Sequence, residues 1–553
     1  MGTDDDKVVA VHEASAITAQ ATSSDSTPAA TPTTENVKGY MSSGDVKATR
    51  GLARGEAHKI YAGFEDKPSK LEVFGWCLYE LCSYFIYTVL IPIVFPLIVS
   101  QIVDLPKEVG EGWVENRRGY KCMAKELRLY HRLTLPGIKV NHAKYSALEW
   151  TSISWAVGVV MAAPILAFLS THLDRGRNQA VIAIAATAIG AIFCLPAGFF
   201  RTVWIFPPYI AVIIAAITVA SACHTRHLGL MVRGFTGPAI QKARFHLRRG
   251  VSGWLSLYAA AAGSLGAAIF ASFTYHMLKG GDEFTSLWVV SIYSGLIWLV
   301  GVLHFLTTNR PSNRPCISRA HAFSIFKFPH ALGSLAGVFL SSLTTMCLFT
   351  GTVLYLVGDL CYTPKSLLFF WLTYFIFPIL SLPFMHPFQH LLKTDSMKMQ
   401  VLGFALSAFT AGMGFYFRGM NWRRRHVLVL TLFQSASTGI LHAFGRVLLL
   451  DCSPYGKEGA FSTWFMLMKV LGTGVGFTIA SLSPGNVRVS FGVAFFTSIA
   501  AMVVLIFGNV SDFDGAVGAG HVVDHGGNYG DDHGVDSTAG SSAEIKESSV
   551  QIN

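Results

Sequence analysis

From Gly75 onward the chain returns again and again to apolar runs of about twenty residues, and that recurrence leaves few folds open. At a rise of about 1.5 Å per residue, each run is long enough to cross a hydrocarbon core of about 30 Å. No water reaches a backbone placed there, so its amides must be satisfied within the segment, and helices are the expected form. Runs of this length lie near 74–101, 147–171, 179–200, 206–232, 250–274, 285–308, 331–357, 364–391, 398–418, 426–450, 459–482 and 489–510. The polar, basic, proline-containing segment "TNRPSNRPCISRAHAFSIFKFPHA" divides them six from six. The expected fold is therefore all-α: a polytopic membrane protein of about twelve transmembrane helices in two six-helix halves, 73–309 and 331–510, joined by a basic linker at 310–330. Residues 1–72 and the acidic, glycine-rich stretch 511–553 carry too few large apolar groups for a core and are expected to be disordered tails.

Only 14% of the 553 residues are charged, against about 25% in soluble domains, which agrees with this class. The formal charge of +10 does not point to nucleic acid, because no basic domain stands apart from the apolar runs. The basic residues fall mainly in short connections and read as orientation signals. With both termini cytosolic, Arg175 and Arg177, then Arg226, Arg233, Lys242, Arg244, Arg248 and Arg249, then Arg310, Arg314, Arg319 and Lys327, all lie on the cytosolic side. The basic first loop, 102–146, and "RGMNWRRRH" break that rule. The start "MGTDDDK" has no apolar core behind a basic head, so the first span is expected to direct insertion. The nine cysteines form neither a metal pair nor a compact disulfide framework and read as small buried residues. In the C-terminal tail, His521, His525 and His533 could hold a metal only loosely, and no metal site or cofactor is expected.

Two charges inside the runs stand out, because a charge at membrane depth is costly unless it faces protein or water. Glu80 lies in "GWCLYELCSYFIYTVLIPIVFPLIV", and the helical positions that share its face are Ser83, Tyr84, Tyr87 and Thr88, all polar. Leu78, Cys82, Phe85 and Val89 make the opposite, apolar face, which is expected to meet neighbours or lipid, and Pro92 and Pro96 kink or cap the far end. Glu80 is thus a candidate proton carrier or partner for a substrate amine. Lys469 sits mid-run in "FSTWFMLMKVLGTGVGFTIAS", beside a Gly472–Gly476 spacing that admits a close neighbouring helix. Its ammonium needs an anion, with Glu80, a substrate carboxylate or a polar network as the choices. Ser341, Thr345 and Thr352 align in the seventh run, and Gln434, Ser437, Thr438 and His442 in the tenth. Most hydroxyls there are expected to bond their own helix, whereas Gln434 and His442 cannot be satisfied that way. His276, His304, His386 and His390, near run ends, read as interfacial. No nucleophile–base motif or phosphate loop is legible, so an enzyme is not expected.

The first run resembles the opening span of the autophagy-related vacuole effluxers, a W-x-x-Y-[DE] pattern followed by T-V and F-P-L, through Trp76, Tyr79, Glu80, Thr88, Val89, Phe95, Pro96 and Leu97. "RRGVSGWLSLYAAAAGSLG", with Ser252, Gly253 and Gly266, and "KEGAFSTWFMLMKVLG", with Glu458, Phe461 and Lys469, are similar to that family's fifth and eleventh spans, and "GLIWLVGVLHF" to its sixth. "LSTHLDRGRNQ" resembles the gating loop of the wider major facilitator superfamily, with Asp174, Arg175 and Arg177 in the motif positions and one residue fewer. There Asp174 would accept from helix N-terminal amides. The resemblance implies a secondary transporter that moves amino acids out of a vacuole by alternating access, coupled to protons; the residues read above, Glu80, Ser83, Tyr84, Tyr87, Thr88, Gln434, His442 and Lys469, are the candidates to hold substrate or proton. The implied partners are a small-molecule substrate, protons and the lipid bilayer. A membrane receptor or scaffold that keeps the fold without transport is the alternative.

Overall fold

A computed structural model of the chain describes residues 66–103, 113–115, 121–174, 178–237, 239–279, 283–307, 322–392, 394–417 and 422–523. Among them are twelve helices long and apolar enough to cross a membrane. In order these spans are Lys70–Ile102, Ala147–Asp174, Gln179–Gly198, Val203–Thr236, Lys242–Leu278, Thr285–Leu306, Pro329–Gly358, Pro364–Leu392, Ser396–Tyr416, Arg424–Asp451, Glu458–Leu482 and Val487–Phe507. The two halves meet where the second span packs on the eleventh and the fifth on the eighth. Small residues allow the closest approaches. A Cβ on Gly266 of the fifth span would stand 2.0 Å from the Leu81 carbonyl oxygen, and one on Gly476 would stand 2.4 Å from that of Leu343. The glycine stripe of the eleventh span thus seats it against the seventh, and Lys469, three residues before Gly472, lines a shared cavity with Ser342 and Thr345 of that span.

The first span is central. Cys82, Phe85 and Val89, expected to meet neighbours or lipid, are all buried, and Phe85 stacks on Phe270 with ring centroids 3.8 Å apart. Past Phe85 the helix widens into a π-helical stretch, Ile86–Val94, containing Pro92, before resuming as Phe95–Ile102 with Pro96 in its first turn. A proline removes one ladder donor and its ring crowds the preceding turn, and a π-type widening relieves both.

Several basic residues read as solvated loop charges are instead helical and buried. The fourth span runs on to Thr236 and the fifth begins at Lys242, so Arg226, Arg233 and Arg248, each at most 3% exposed, lie within spans. Their partners explain the burial. Arg233 pairs with Glu458 of the eleventh span, Arg248 Nε lies 3.3 Å from Asp451 Oδ1 at the end of the tenth, and Arg226 donates to Gln179. Arg249 pairs with Asp395, just ahead of the ninth. Three of these four pairs join one half to the other on the face where the fourth span meets the fifth.

The C-terminal stretch on that same face is folded at least to Val523, not disordered from residue 511. Asp512–Gly518 is a short helix, and Val522–Val523 pairs in parallel with Ile240–Gln241 from the fourth-to-fifth connection. Phe513, Ala516 and Val522 pack with Phe245, which supplies the apolar burial a glycine-rich tail lacks by itself. His521, expected to be one of three loose metal contacts, bonds the Ser453 carbonyl at 2.7 Å; His525 and His533 lie outside the described residues. The buried Asp512 accepts from the Ser396 amide at 3.3 Å, and burial pushes its carboxyl up to about 7.

The opposite face carries the basic first loop. Strands Trp113–Glu115 and Lys121–Met123 form one hairpin, Ile138–Val140 and Ala143–Tyr145 another, with helix Ala124–Thr134 between them. Cys122 there forms a disulfide with Cys361, beyond the seventh span, with Cα atoms 5.1 Å apart. This corrects the reading of all nine cysteines as buried packing residues. A bridge between partners 239 residues apart cannot be read from spacing, since only the folded loop brings them together. Disulfides persist in oxidising compartments, which fits cytosolic termini and a basic loop exported as a folded, covalently held unit. A membrane-impermeant maleimide should label Cys122 and Cys361 after reduction only, and from the face opposite the termini; labelling without reduction, or from the terminal side, would refute this placement.

Candidate functional site

The helical face that begins at Glu72 in the first span returns every four residues to Trp76 and Glu80. Glu80 lies ten residues into the span, about 15 Å from its start. Its carboxylate is buried among side chains from both halves. His442 Nε2 of the tenth span stands 2.9 Å from Oε1; Arg446 Nη1, one turn on, is 3.5 Å from Oε2; and His224 Nδ1 of the fourth span is 3.3 Å from Oε2. Arg446, 2% exposed, also donates to Ser256 and lies over the Trp76 ring. Glu80 is therefore tolerable because a guanidinium and two imidazoles replace the water it gave up.

The protonation at His224 follows from its contacts. Its Nε2 sits 2.9 Å from the Trp76 carbonyl, which can only accept, so Nε2 carries a hydrogen. The ring also stacks on Trp76, centroids 4.7 Å apart. Nδ1 then faces the Glu80 carboxylate, and that contact is satisfied when one proton lies between the two atoms.

Beside this cluster opens a cavity of about 610 Å³, lined by Tyr84, Tyr87 and Thr88 of the first span together with Ser341, Thr345, Tyr374, Thr438, His442, Lys469 and Thr473 of the other half. A smaller space of about 320 Å³ joins Glu80, Ser83 and Arg446 to four of the same residues, Tyr84, Tyr87, His442 and Lys469. Lys469 is half-buried, with its ammonium 5.8 Å and 5.9 Å from the ring centroids of Tyr84 and Tyr87. Among the described residues no ion pair joins it to Glu80, one of the three partners the sequence offered; Arg446 holds that place.

Most of the hydroxyls lining the cavity have their hydrogens committed. Thr88 donates to the Tyr84 carbonyl, Ser341 to Val338, Thr345 to Ser341, Thr438 to Gln434 and Thr473 to Lys469. Tyr374 and Tyr87 donate in turn to the oxygens of Thr438 and Thr218, since both threonines have spent their own hydrogens. What remains toward the cavity is mainly oxygen lone pairs and aromatic faces, with one cation and the hydroxyls of Tyr84 and Ser342. That donor–acceptor balance suits a small solute carrying both an anion and an ammonium group.

Of the residues expected in the site, Glu80, Ser83, Tyr84, Tyr87, Thr88, His442 and Lys469 converge on these two connected spaces. Gln434 does not. It turns toward the ninth span, where Thr410 donates to its Oε1 at 2.6 Å, and it lines a separate, mainly apolar cavity of about 630 Å³ with Phe370, Trp422 and Phe491. Thr352 faces that cavity as well. Asp174 ends the second span and accepts from the Ala460 amide at 2.9 Å, in the first turn of the eleventh span, as helix N-terminal amides favour. Arg175 and Arg177 lie outside the described residues. His304, expected at the interface, is fully buried. Arg446 and His224 went unnoticed in the sequence, although both lie well inside apolar runs, and Arg446 follows His442 by one helical turn. The depth rule that flagged Glu80 applies to them equally.

No family model matches the chain, and no curated protein matches it. Solved structures do. The proton:xylose symporter XylE of the major facilitator superfamily, bound to 6-bromo-6-deoxy-D-glucose, aligns over 80% of this chain and 97% of its own at 13% identity and a TM-score of 0.53. A bacterial homologue of the iron transporter ferroportin in an outward-facing state aligns over 80% and 98% at 12% identity and a TM-score of 0.50. With its two six-helix halves, the chain is a multi-pass membrane protein with the fold of the major facilitator superfamily.

Proposed function

We propose that the chain is a secondary active transporter that carries a small zwitterionic solute, an amino acid, across the membrane by alternating access coupled to protons. The observation that carries this reading is the pairing of two unlike centres on connected cavities. One is a carboxylate–imidazole cluster able to hold a proton; the other is a lysine ammonium without a carboxylate partner among the described residues. Lys469 would take the solute carboxylate, while the lone pairs of Thr88, Ser341, Thr345 and Thr438 and the faces of Tyr84 and Tyr87 would take its ammonium. Glu80 bonds His442 and Arg446 across the seam between halves, so its charge state bears on how tightly the halves hold together. The ion pairs Arg233–Glu458 and Arg248–Asp451 and the Asp174–Ala460 contact bind the seam on the terminal face, the arrangement in which a solute path to that side is shut. The likeness of the first and eleventh spans to vacuole effluxers supports amino acids as cargo and the vacuolar membrane as the site of action.

The test is flux of a labelled amino-acid mixture into proteoliposomes under an imposed pH gradient. The wild-type protein should accumulate label, and Glu80→Gln should exchange label without responding to the gradient. Flux that ignores the gradient and is unchanged in Glu80→Gln would overturn the proton role. No flux at all would favour a receptor or scaffold that keeps the fold.

A further inference from the structure

Between Glu80 and the terminal face lies a second set of titratable groups that the proposed solute site does not use. His227 follows His224 by three residues on the fourth span, so both face the first span. Its Nε2 stands 2.8 Å from Oε1 of Glu72, which lies two turns before Glu80 on the same helical face. The first and fourth spans run antiparallel, so the two histidines step down the membrane in register with the two carboxylates. His304, from the end of the sixth span, bridges the step, with its ring 5.5 Å from that of His224 and 5.3 Å from that of His227, both edge-on. Tyr79, Trp76 and Phe305 pack around this column, and their rings leave imidazole as the means of carrying charge through it. Glu72 ends it in the first turn of its helix, two residues from the exposed Lys70.

We propose that His224, His304, His227 and Glu72 form a proton relay linking Glu80 to the terminal face, separate from the path of the solute. The inference rests on the proton-coupled reading above. The proton leaves the Glu80 carboxyl for His224 Nδ1; the resulting imidazolium turns toward His304 and gives up one of its two protons. His304 hands a proton to His227, whose Nε2 delivers it to Glu72 Oε1, and Glu72 releases it to the terminal side. Each imidazole gains one proton and loses one, so the column ends neutral and the charge of Glu80 is restored. Here the His224 ring is pinned by Nε2 on the Trp76 carbonyl, facing Glu80 and turned from His304. The relay is thus broken at one residue in this state, which keeps protons from leaking through it. Withdrawal of His442 and Arg446, both in the other half, would free Glu80 to move, and turning His224 also requires its bond to the Trp76 carbonyl to break.

The full-length protein in lipid vesicles allows two measurements on the variants His227→Gln and His304→Asn, singly and combined. In the first, the pH of the terminal side is jumped, and protonation of Glu80 is followed by time-resolved infrared in its carboxyl C=O band, assigned by its loss in Glu80→Gln. The combined variant should slow this step by at least about tenfold. In the second, exchange of the labelled amino-acid mixture without a gradient, which needs no net proton release, should stay within about twofold of wild type while gradient-driven accumulation falls about tenfold. Unchanged infrared kinetics would overturn the relay, even if transport proves proton-coupled. So would an equal fall in exchange and accumulation, which would mark the histidines as packing residues. A wild-type protein whose flux ignores the gradient would overturn the coupling reading instead, and the infrared step would still decide the relay.

Discussion

Lys469→Met should abolish solute accumulation and leave the protein as stable as before. The ammonium sits half-buried over two tyrosine rings, with no carboxylate within ion-pair distance among the described residues. Its removal therefore strands no partner, and the unbranched thioether follows the path of the lysine stem. The solute loses its counter-charge. Losing one side of a buried, hydrogen-bonded charge pair costs about 2–5 kcal/mol, which is at least about 30-fold in apparent affinity. Exchange measured against solute concentration, beside a thermal melt in detergent, separates the two effects. A melt lowered by several degrees with affinity retained would mean that Lys469 is an interhelical strut.

Arg446→Leu should do the reverse and strike stability first. Arg446 is 2% exposed and compensates a carboxylate that is 6% exposed. Removing it leaves Glu80 buried beside two imidazoles, and breaking a buried pair in this way costs about 3–5 kcal/mol. The double variant Glu80→Gln/Arg446→Leu should recover most of that loss, because the unpaired charge is then gone. This non-additivity is what a double-mutant cycle measures. Equal losses in the single and double variants would show that Arg446 acts through its contacts with Trp76 and Ser256 rather than through Glu80.

The contrast between these two cations marks how far the sequence could be read. Length and hydropathy located twelve spans to within about four residues, apart from the start of the fifth, which lies eight residues earlier at Lys242, because the hydrocarbon thickness fixes the length of any crossing helix. Glu80, His442 and Lys469 were legible for the same reason: at that depth a polar group must have a purpose. The partner of Glu80 was not legible, since Arg446 lies hundreds of residues away in the other half and pairing depends on how the halves meet. Arg233 and Arg248 were misjudged because a basic residue at a helix end looks alike whether it faces water or a carboxylate across a seam. Gln434 showed the limit of polarity as a guide. Its amide is satisfied by Ser407 and Thr410 within its own half, so it never needed the cavity. The tail to Val523 was misread because its apolar contacts, Ile240 and Phe245, come from the distant fourth-to-fifth connection and the start of the fifth span.

The cystine on the far face has a mechanical corollary. It closes residues 122 to 361 into a covalent ring that threads the second through the seventh spans and so takes in parts of both halves. On the terminal side the described contacts between the halves include ion pairs and hydrogen bonds, which can be undone and remade. On the far side the knot cannot be undone, so any slack needed there must come from the loop between the first and second spans. The two halves are thus bound on the far face by a cystine and on the terminal face by the continuous chain between the sixth and seventh spans, so a rocking motion must pivot within both tethers.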